Sequence, residues 1–259
     1  MLELKHDHGR FNAFEAMGSC NQTCIGGTCR DDTSKIVCVG ETIEGVFRKG
    51  EAEASSSSIN NINGKQPPPC IVYSIGGNNQ WEFELDTLEK TACEVHTFDC
   101  TGKPSRFKKP ESDRLHFHYI CLGTENKPAG ERHGEFWTLE RIQKTLKHPR
   151  IDLFKIDIEG WEWPLFDVWP MLSDKRSARA VLPMQIMVEV HYRTTKGAGG
   201  ALTTSFWDDF KFPPDMINLQ DKFLKMGYAV VVRDDNKASK HCTELTLLRI
   251  RCPPQSLHY

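Results

Sequence analysis

The sequence predicts an α/β protein with a doubly wound, mostly parallel sheet of seven strands that ends in an antiparallel hairpin. From residue 70 onward, short apolar runs rich in β-forming residues alternate with helical patterns, as is typical of a parallel sheet with helices on both faces. The last two strand patterns, 228–233 and 244–250, are separated only by the polar segment 234–241. Because this segment is too short to hold a crossover helix, the two strands are expected to run antiparallel.

The composition divides the chain into three parts. Residues 1–50 form a cysteine-rich N-terminal extension, 51–69 a low-complexity linker or loop rich in serine and proline, and 70–259 the folded domain. Within the extension, Lys35–Val39 is a candidate for a short strand or a cap on the core. A chain of 259 residues is long enough to bury one sizeable core.

Charge and hydropathy argue against two classes of partner. The formal net charge is −2, so no electrostatic argument supports binding to nucleic acid or to an anionic membrane. No apolar run approaches the roughly 18 residues of a membrane span. The first residues also lack the apolar core of a signal peptide.

The cysteines point to an oxidising compartment. The chain has 10 of them, and four crowd into the N-terminal extension: Cys20, Cys24, Cys29 and Cys38. Asn21-Gln22-Thr23 inside this cluster is an N-glycosylation sequon. We therefore expect a protein of the secretory pathway, or a secreted one, whose leader or anchor precedes the residues given, with a cytoplasmic protein as the alternative. The spacing lacks the paired C-x2-C of common zinc sites, so we expect disulfides, some reaching Cys70 or another core cysteine.

The first βαβ unit carries the strongest functional signal. The run 71–75 is a buried strand, and Gly76-Gly77 forms a turn at which backbone amides can approach a ligand closely. A helix follows, with Trp81, Leu85, Leu88 and Ala92 expected on one face. The next strand, 93–99, ends on Asp99, about twenty residues after the glycines, where nucleotide-binding α/β units place a carboxylate for ribose hydroxyls.

The later elements continue the alternation. The predicted ranges are strand 115–121 with a turn at 122–124, helix 137–146, strand 151–158, a helix with Pro164 in its first turn that ends near 172, strand 184–191, and helix 214–226. In the last helix Met216, Leu219, Phe223 and Met226 are expected to face inward. A basic loop at 102–110 and a glycine-rich loop at 194–201 interrupt this pattern.

Carboxylates and a histidine follow the fourth and fifth strands. Asp157 and Glu159 come at the end of the fourth strand, whereas Glu162 is expected to serve the next helix as a favourable N-terminal charge. Glu189 and His191 alternate on the fifth strand, so they face the same side. His191 is the best candidate for a general base, because the ordinary pKa of histidine lies near neutrality.

The same residues raise the question of a metal. Asp157, Glu189 and His191 would together suit a divalent ion, but no spacing motif demands one, and no metal is predicted. The pairs His6/His8 and His116/His118 alternate like metal ligands, yet no further ligand for either pair is apparent in the sequence, so neither is a predicted site.

Three segments carry a resemblance to a known family. They are Cys70-Ile-Val-Tyr-Ser-Ile-Gly-Gly-Asn78 with Phe83-Glu84, Val95-His-Thr-Phe-Asp99, and Asp152-Leu-Phe-Lys-Ile-Asp-Ile-Glu-Gly-Trp-Glu162. The chain resembles class I S-adenosylmethionine-dependent methyltransferases of the FkbM-like group, and more closely the animal-type methyltransferase-like domain proteins. The likeness covers about residues 70–251, with a weaker echo at Lys35–Cys38.

The resemblance implies a Rossmann-like class I fold, S-adenosylmethionine as cofactor, and methyl transfer to an oxygen or nitrogen acceptor on a small molecule, glycan or protein. It places Ser74, Ile75, Gly76, Gly77 and Asn78 near the methionine part of the cofactor. Asp99 would hold the ribose, and Leu122 and Gly123 would lie near the adenine. Asp157 would lie at the carboxyl edge of the sheet, with cofactor and acceptor, and together with Glu189 and His191 it completes the predicted catalytic set.

Two other functions stay open at this point. A full glycine motif of the family has an acidic residue near Ser74 and further glycines near Asn78 and Gln80, which this chain lacks. A non-catalytic binding module with the same fold is therefore one alternative. The other is a metal-dependent lumenal glycosyltransferase in which Asp157 and Glu159 bind the ion.

Overall fold

The computed structural model describes residues 11–29, 33–39, 70–131, 133–175, 179–191, 211, 213–236 and 242–250. The linker 51–69, the glycine-rich loop 194–201 and the pair His6/His8 lie outside the described residues. None of the described helices has both the length and the apolar character needed to cross a membrane.

The described chain forms eleven strands and four α-helices. The strands are β1 (Asn21–Ile25), β2 (Lys35–Val39), β3 (Ile71–Ile75), β4 (Glu94–Phe98), β5 (Leu115–His118), β6 (Ile120–Leu122), β7 (Glu135–Trp137), β8 (Leu153–Ile156), β9 (Gln185–His191), β10 (Tyr228–Asp235) and β11 (Cys242–Arg249). The helices are α1 (Glu82–Lys90), α2 (Leu139–Leu146), α3 (Glu162–Val168) and α4 (Pro213–Met226).

A seven-stranded sheet is the centre of the fold. Its strand order is β10-β11-β9-β8-β3-β4-β5. The five strands from β9 to β5 are mutually parallel, whereas β11 lies between β9 and β10 and is antiparallel to both. The predicted doubly wound sheet and its antiparallel C-terminal hairpin are confirmed.

Apolar side chains cover the sheet on both faces. On one face Tyr73 and Phe154 pack with residues of α2, α3 and α4, including the four inward residues predicted for the last helix. On the other face Val95 and Met187 pack with residues of α1, β1 and β2. The N-terminal ribbon of β1 and β2 therefore covers the central sheet together with α1.

The buried face of α1 differs from the prediction. Leu85 is 45% exposed and Ala92 is exposed, whereas Phe83, Glu84 and Leu88 are buried. The buried carboxylate of Glu84 accepts a hydrogen bond from the Thr97 hydroxyl of β4 at 3.2 Å. The prediction counts only apolar residues as inward-facing, so it cannot place Glu84 on the buried side of α1. The face that is buried is therefore rotated about the helix axis relative to the predicted face.

Two other boundaries are corrected. The helix expected to reach about residue 172 ends at Val168, because Trp169 precedes Pro170 and takes an extended conformation with φ −73° and ψ 146°. The strand expected at 115–121 divides into β5, which pairs with β4, and β6, which pairs with β7 in a separate two-stranded sheet. Trp137 belongs to β7, and Thr138 caps α2.

Four disulfides are present among the described residues. They are Cys20–Cys38, Cys24–Cys29, Cys70–Cys93 and Cys100–Cys121. The expectation that an N-terminal cysteine reaches Cys70 or another core cysteine is wrong, because the antiparallel pairing of β1 with β2 brings the two ends of the ribbon together. The ribbon is held to the sheet by hydrogen bonds instead: the Gln185 amide bonds both backbone groups of Cys38, at 2.7 and 3.1 Å.

Candidate active site at the carboxyl edge of the sheet

A glycine contact joins two strand ends at the carboxyl edge of the sheet. Gly76 follows β3 with φ +80°, and a Cβ atom there would lie 1.8 Å from the carbonyl oxygen of Asp157. Asp157 follows β8, and its backbone N–H donates to the Ile75 carbonyl at 3.1 Å. The turn after β3 and the turn after β8 can touch only because residue 76 has no side chain.

Asp99 holds the glycine turn from the neighbouring strand end. One carboxylate oxygen accepts the Asn78 N–H at 2.7 Å, and the other accepts the N–H and hydroxyl of Thr101 at 2.9 and 2.7 Å. The residue is 6% exposed. A carboxylate has about four accepting positions, so these three bonds leave one for a further donor such as a ribose hydroxyl.

The basic loop at 102–110 lies on the same turn. The guanidinium of Arg106 bonds the side-chain oxygen of Asn78 and, at 3.3 Å, the hydroxyl of Thr101. The backbone N–H of Lys108 donates to the Asn79 side chain at 2.7 Å. The sequence showed a basic loop here but assigned it no role, because nothing in its spacing indicates that it folds back on residues 78 and 79.

The remaining predicted cofactor positions lie at the ends of two strands. Ser74 and Ile75 are the last two residues of β3, directly before the glycine turn, and both are buried. Leu122 ends β6, and the Cys100–Cys121 disulfide links that strand to the residue after Asp99. A Cβ at Gly123 would lie 3.0 Å from a ring carbon of Phe136, so a glycine also fits closely there.

Charged side chains gather around His191 at the ends of β8 and β9. Its Nδ1 lies 3.0 Å from a carboxylate oxygen of Glu162, which also accepts the His191 N–H at 2.7 Å. Its Nε2 faces three more carboxylates: Glu159 at 3.6 Å, Glu189 at 3.9 Å and Asp157 at 4.0 Å. The sheet thus brings the three predicted catalytic residues together.

Glu162 has a larger part than the sequence indicated. Its carboxylate accepts the Gly160 N–H at 2.9 Å, which serves the start of α3 as expected. It is also fully buried and fixes the imidazole of His191. The interpretation that Glu162 serves only its helix is therefore wrong.

The cluster has unusual protonation. Burial lowers the pKa of His191, but Glu162 and the other carboxylates outweigh it and raise that pKa to about 10, so the ring is an imidazolium at neutral pH. Burial and the neighbouring carboxylates of Asp157 and Glu244 raise the pKa of Glu189 to about 8.

Asp157 is shifted the other way. Burial acts to raise its pKa, but three nearby cations, the Lys155 and Lys35 ammoniums and the His191 imidazolium, outweigh burial and bring the pKa below its ordinary range. The Asp157 carboxylate is therefore ionised.

Two lysines complete the site, and the sequence did not single out either. Lys155 is 5% exposed, and its ammonium donates to the Gly76 carbonyl at 3.2 Å and lies 4.0 Å from the Asp157 carboxylate. Lys35 of β2 is 1% exposed and pairs with Glu244. The alternation of strand residues could have placed Lys155 beside Asp157. No sequence signal connects Lys35 to residues more than a hundred positions away.

A divalent ion has possible ligands here. Asp157, Glu159 and His191 each offer a ligand atom, and these atoms lie within 4.8 Å of one another. An ion would have to displace the proton that the surrounding carboxylates hold on Nε2 of His191. Binding of an ion here would therefore release that proton and depend on pH.

Comparisons with known sequences point in one direction. A family model described as a methyltransferase domain matches residues 11–249, and so includes the disulfide-linked ribbon. Over 103 residues the chain is 29% identical to a human protein named "Probable methyltransferase-like protein 24" and 27% identical to its rat counterpart. These alignments cover 38% of this chain, and the chain spans only 27% and 28% of the length of the two relatives.

Solved structures show a weaker likeness. An N1-methyltransferase of 1,6-didemethyltoxoflavin from Burkholderia thailandensis matches 71% of this chain and 72% of its own, with 13% identity and a TM-score of 0.40. A 16S rRNA (adenine(1408)-N(1))-methyltransferase from Catenulisporales acidiphilia matches 85% and 95%, with 12% identity and a TM-score of 0.41. TM-scores of this size add no evidence about the fold beyond the strand order of the sheet.

The contact at Gly76 predicts different outcomes for two adjacent glycines. Gly76→Ala should lower the free energy of unfolding by about 3 kcal/mol, because the methyl group meets the Asp157 carbonyl and φ is positive. Gly77→Ala is the matched control and should change it by less than about 1 kcal/mol, since its Cβ would make contacts of 3.5 Å or more. Urea denaturation measures both, and equal effects would contradict the assigned contact.

Proposed function

Because the chain belongs to the methyltransferase-domain family, we propose that it transfers a methyl group from S-adenosylmethionine to an oxygen or nitrogen atom of an acceptor. The observation that carries this proposal is the family match across residues 11–249. Within that range, the Gly76 turn meets Asp99 at neighbouring carboxyl ends of a doubly wound sheet. Ligands of open α/β sheets bind at such an edge.

The residues at this edge fit the cofactor. The turn at Gly76 and Gly77 lies at the carboxyl edge, where its backbone groups could meet the methionine part, and the remaining accepting position on Asp99 suits a ribose hydroxyl. Leu122 and Gly123 lie at the end of β6, where an adenine ring would find an apolar contact. The sulfonium of S-adenosylmethionine supplies a methyl group that is already activated toward nucleophilic attack.

The chain's own residues then have to orient the acceptor and take its proton. A lone pair of the acceptor forms the new bond to the methyl carbon while the carbon–sulfur bond breaks, and the acceptor loses one proton. Asp157 is ionised, 20% exposed at its side chain and in contact with the glycine turn, so we assign it as the proton acceptor. Glu189 and the imidazolium of His191 flank Asp157 and fix its position and charge.

The raised pKa of His191 changes the role that the sequence suggested. A doubly protonated ring cannot accept a proton, so in this proposal His191 is a positioning residue and not the general base. The family match favours methyl transfer over the glycosyltransferase alternative. The acceptor class, whether a small molecule, a glycan or a protein, is not specified by these residues.

Titration calorimetry with S-adenosylmethionine and S-adenosylhomocysteine tests the cofactor. We expect micromolar binding by the wild-type protein and at least tenfold weaker binding by Asp99→Ala, which loses the carboxylate that receives the ribose. Asp113→Ala is the matched control, because Asp113 is an exposed carboxylate in the turn before β5. Thermal unfolding of each variant checks the fold. If neither ligand binds the wild-type protein, the methyltransferase proposal is overturned in favour of the non-catalytic module or the glycosyltransferase.

A second experiment separates binding from turnover. We expect His191→Gln to bind S-adenosylmethionine within about threefold of the wild type but to release S-adenosylhomocysteine at least a hundredfold more slowly, because the imidazolium no longer positions Asp157. The assay uses whichever acceptor a screen for cofactor turnover identifies. Wild-type turnover by this variant would remove His191 from the mechanism, and an equal loss of cofactor affinity would make it a binding residue.

We also propose that the protein resides in an oxidising compartment of the secretory pathway. Four disulfides among the described residues and the exposed sequon residue Asn21 support this proposal. Thiol alkylation and mass spectrometry of protein isolated from its own cells should find these eight cysteines protected until a reductant is added. Full alkylation without reductant would place the protein in a reducing compartment.

A further inference from the structure

A second cluster of ionisable side chains lies away from the carboxyl edge, on the face of the sheet that carries α2. Glu94 and His96 alternate on β4, His116 lies opposite His96 on β5, and His148 follows α2. His96 precedes Asp99 by three residues, so the cluster begins about 10 Å from the glycine turn along the strand. Nothing in the proposed methyl transfer uses these residues.

The buried ring of His96 points an unused nitrogen into this cluster. Its side chain is 7% exposed, and among the described residues Nε2 has no hydrogen-bond partner. The nearest carboxylate oxygen, on Glu94, is 3.8 Å away. A buried polar atom without a partner costs free energy, so it calls for a ligand that the protein chain itself does not supply.

The neighbouring side chains offer further ligand atoms around that nitrogen. Glu94, His96 and His148 each present one, all within 4.8 Å of one another. Nε2 of His116 lies 4.0 Å from the same Glu94 oxygen, and its ring stacks on His96 with centroids 4.6 Å apart. In a tetrahedral zinc site the ligand atoms are about 3.4 Å apart, so these four groups would have to move closer together on binding an ion.

Contacts at the Nδ1 atoms of His96 and His148 fix the orientation of the two rings, as is usual for histidines that bind metals. Nδ1 of His96 lies 3.0 Å from Nε2 of His118, and Nδ1 of His148 lies 2.8 Å from the Tyr73 hydroxyl. When Nδ1 of His96 carries its proton and donates to His118, Nε2 has a free lone pair directed at the cluster.

We propose that Glu94, His96, His116 and His148 form a structural binding site for a zinc-class transition-metal ion. Three imidazoles and one carboxylate are a ligand set that suits Zn²⁺. The ion would link β4, the edge strand β5 and the segment after α2, and so fix the outer side of the cofactor-binding half of the sheet. The half-exposed ring of His116, whose side chain is 40% exposed, gives the ion a path from solvent.

Calorimetric titration of the tag-free, metal-stripped chain with zinc chloride tests this proposal. We expect one zinc ion per chain with a Kd below about 1 µM, and at least tenfold weaker binding by Glu94→Gln and by His116→Asn. Both positions are partly exposed, so these variants should unfold thermally at the temperature of the metal-free wild type. Glu89→Gln, the same change at an exposed position of α1, should bind zinc as the wild type does.

X-ray absorption of the zinc-loaded wild type is a second measurement that needs no variant. It should show three imidazole nitrogens and one oxygen around the metal. The proposal is overturned if the wild type binds no zinc, if the spectrum shows no imidazole, or if Glu94→Gln and His116→Asn retain full affinity. It is also overturned if Asp157→Asn or His191→Gln removes the ion instead, because the metal would then occupy the carboxyl edge.

Discussion

The missing side chain at residue 76 is the constraint on which the site depends. The turn after β3 and the turn after β8 are in backbone contact there, and this contact sets Asp157 beside the loop that Asp99 holds from β4. The Lys155 ammonium then bonds the Gly76 carbonyl from within the sheet. One glycine thus determines how close the glycine turn, the proposed proton acceptor Asp157 and a buried cation can be. Any larger residue would separate the two turns.

The N-terminal ribbon is part of this site electrostatically. Lys35 in β2 pairs with Glu244 of β11, and its charge helps to keep Asp157 ionised. The disulfides within the ribbon and the Gln185 bonds to Cys38 hold that lysine in place. The family match, which begins at residue 11, covers the same ribbon. Asp157, the proposed proton acceptor, therefore depends on a charge supplied by the cysteine-rich segment.

The sequence predicted those parts of the fold that local patterns encode. Alternating strands and helices, the terminal hairpin, the glycine turn and Asp99 all follow from periodicity and short spacings within one βαβ unit. The sequence failed where a polar group is buried by a distant partner. Glu84 was not included in the predicted inward face of its helix, because its partner Thr97 lies on another element. Glu162 was assigned only to its helix, because His191 is 29 residues away. Lys35 and Glu244 are 209 residues apart and could not be paired by pattern alone.

The two histidine clusters show why residue type does not decide chemistry. His191 is surrounded by the carboxylates of Glu162, Asp157 and Glu189, so its ring is held as a cation. His96 is buried among other histidines, so its ring is held neutral, with one nitrogen unbonded. The first environment suits the positioning charge that we propose for His191, and the second suits the metal ligand that we propose for His96. Both residues lie on strands and each directly follows a valine, so the side chains brought in by neighbouring strands and helices distinguish the two environments.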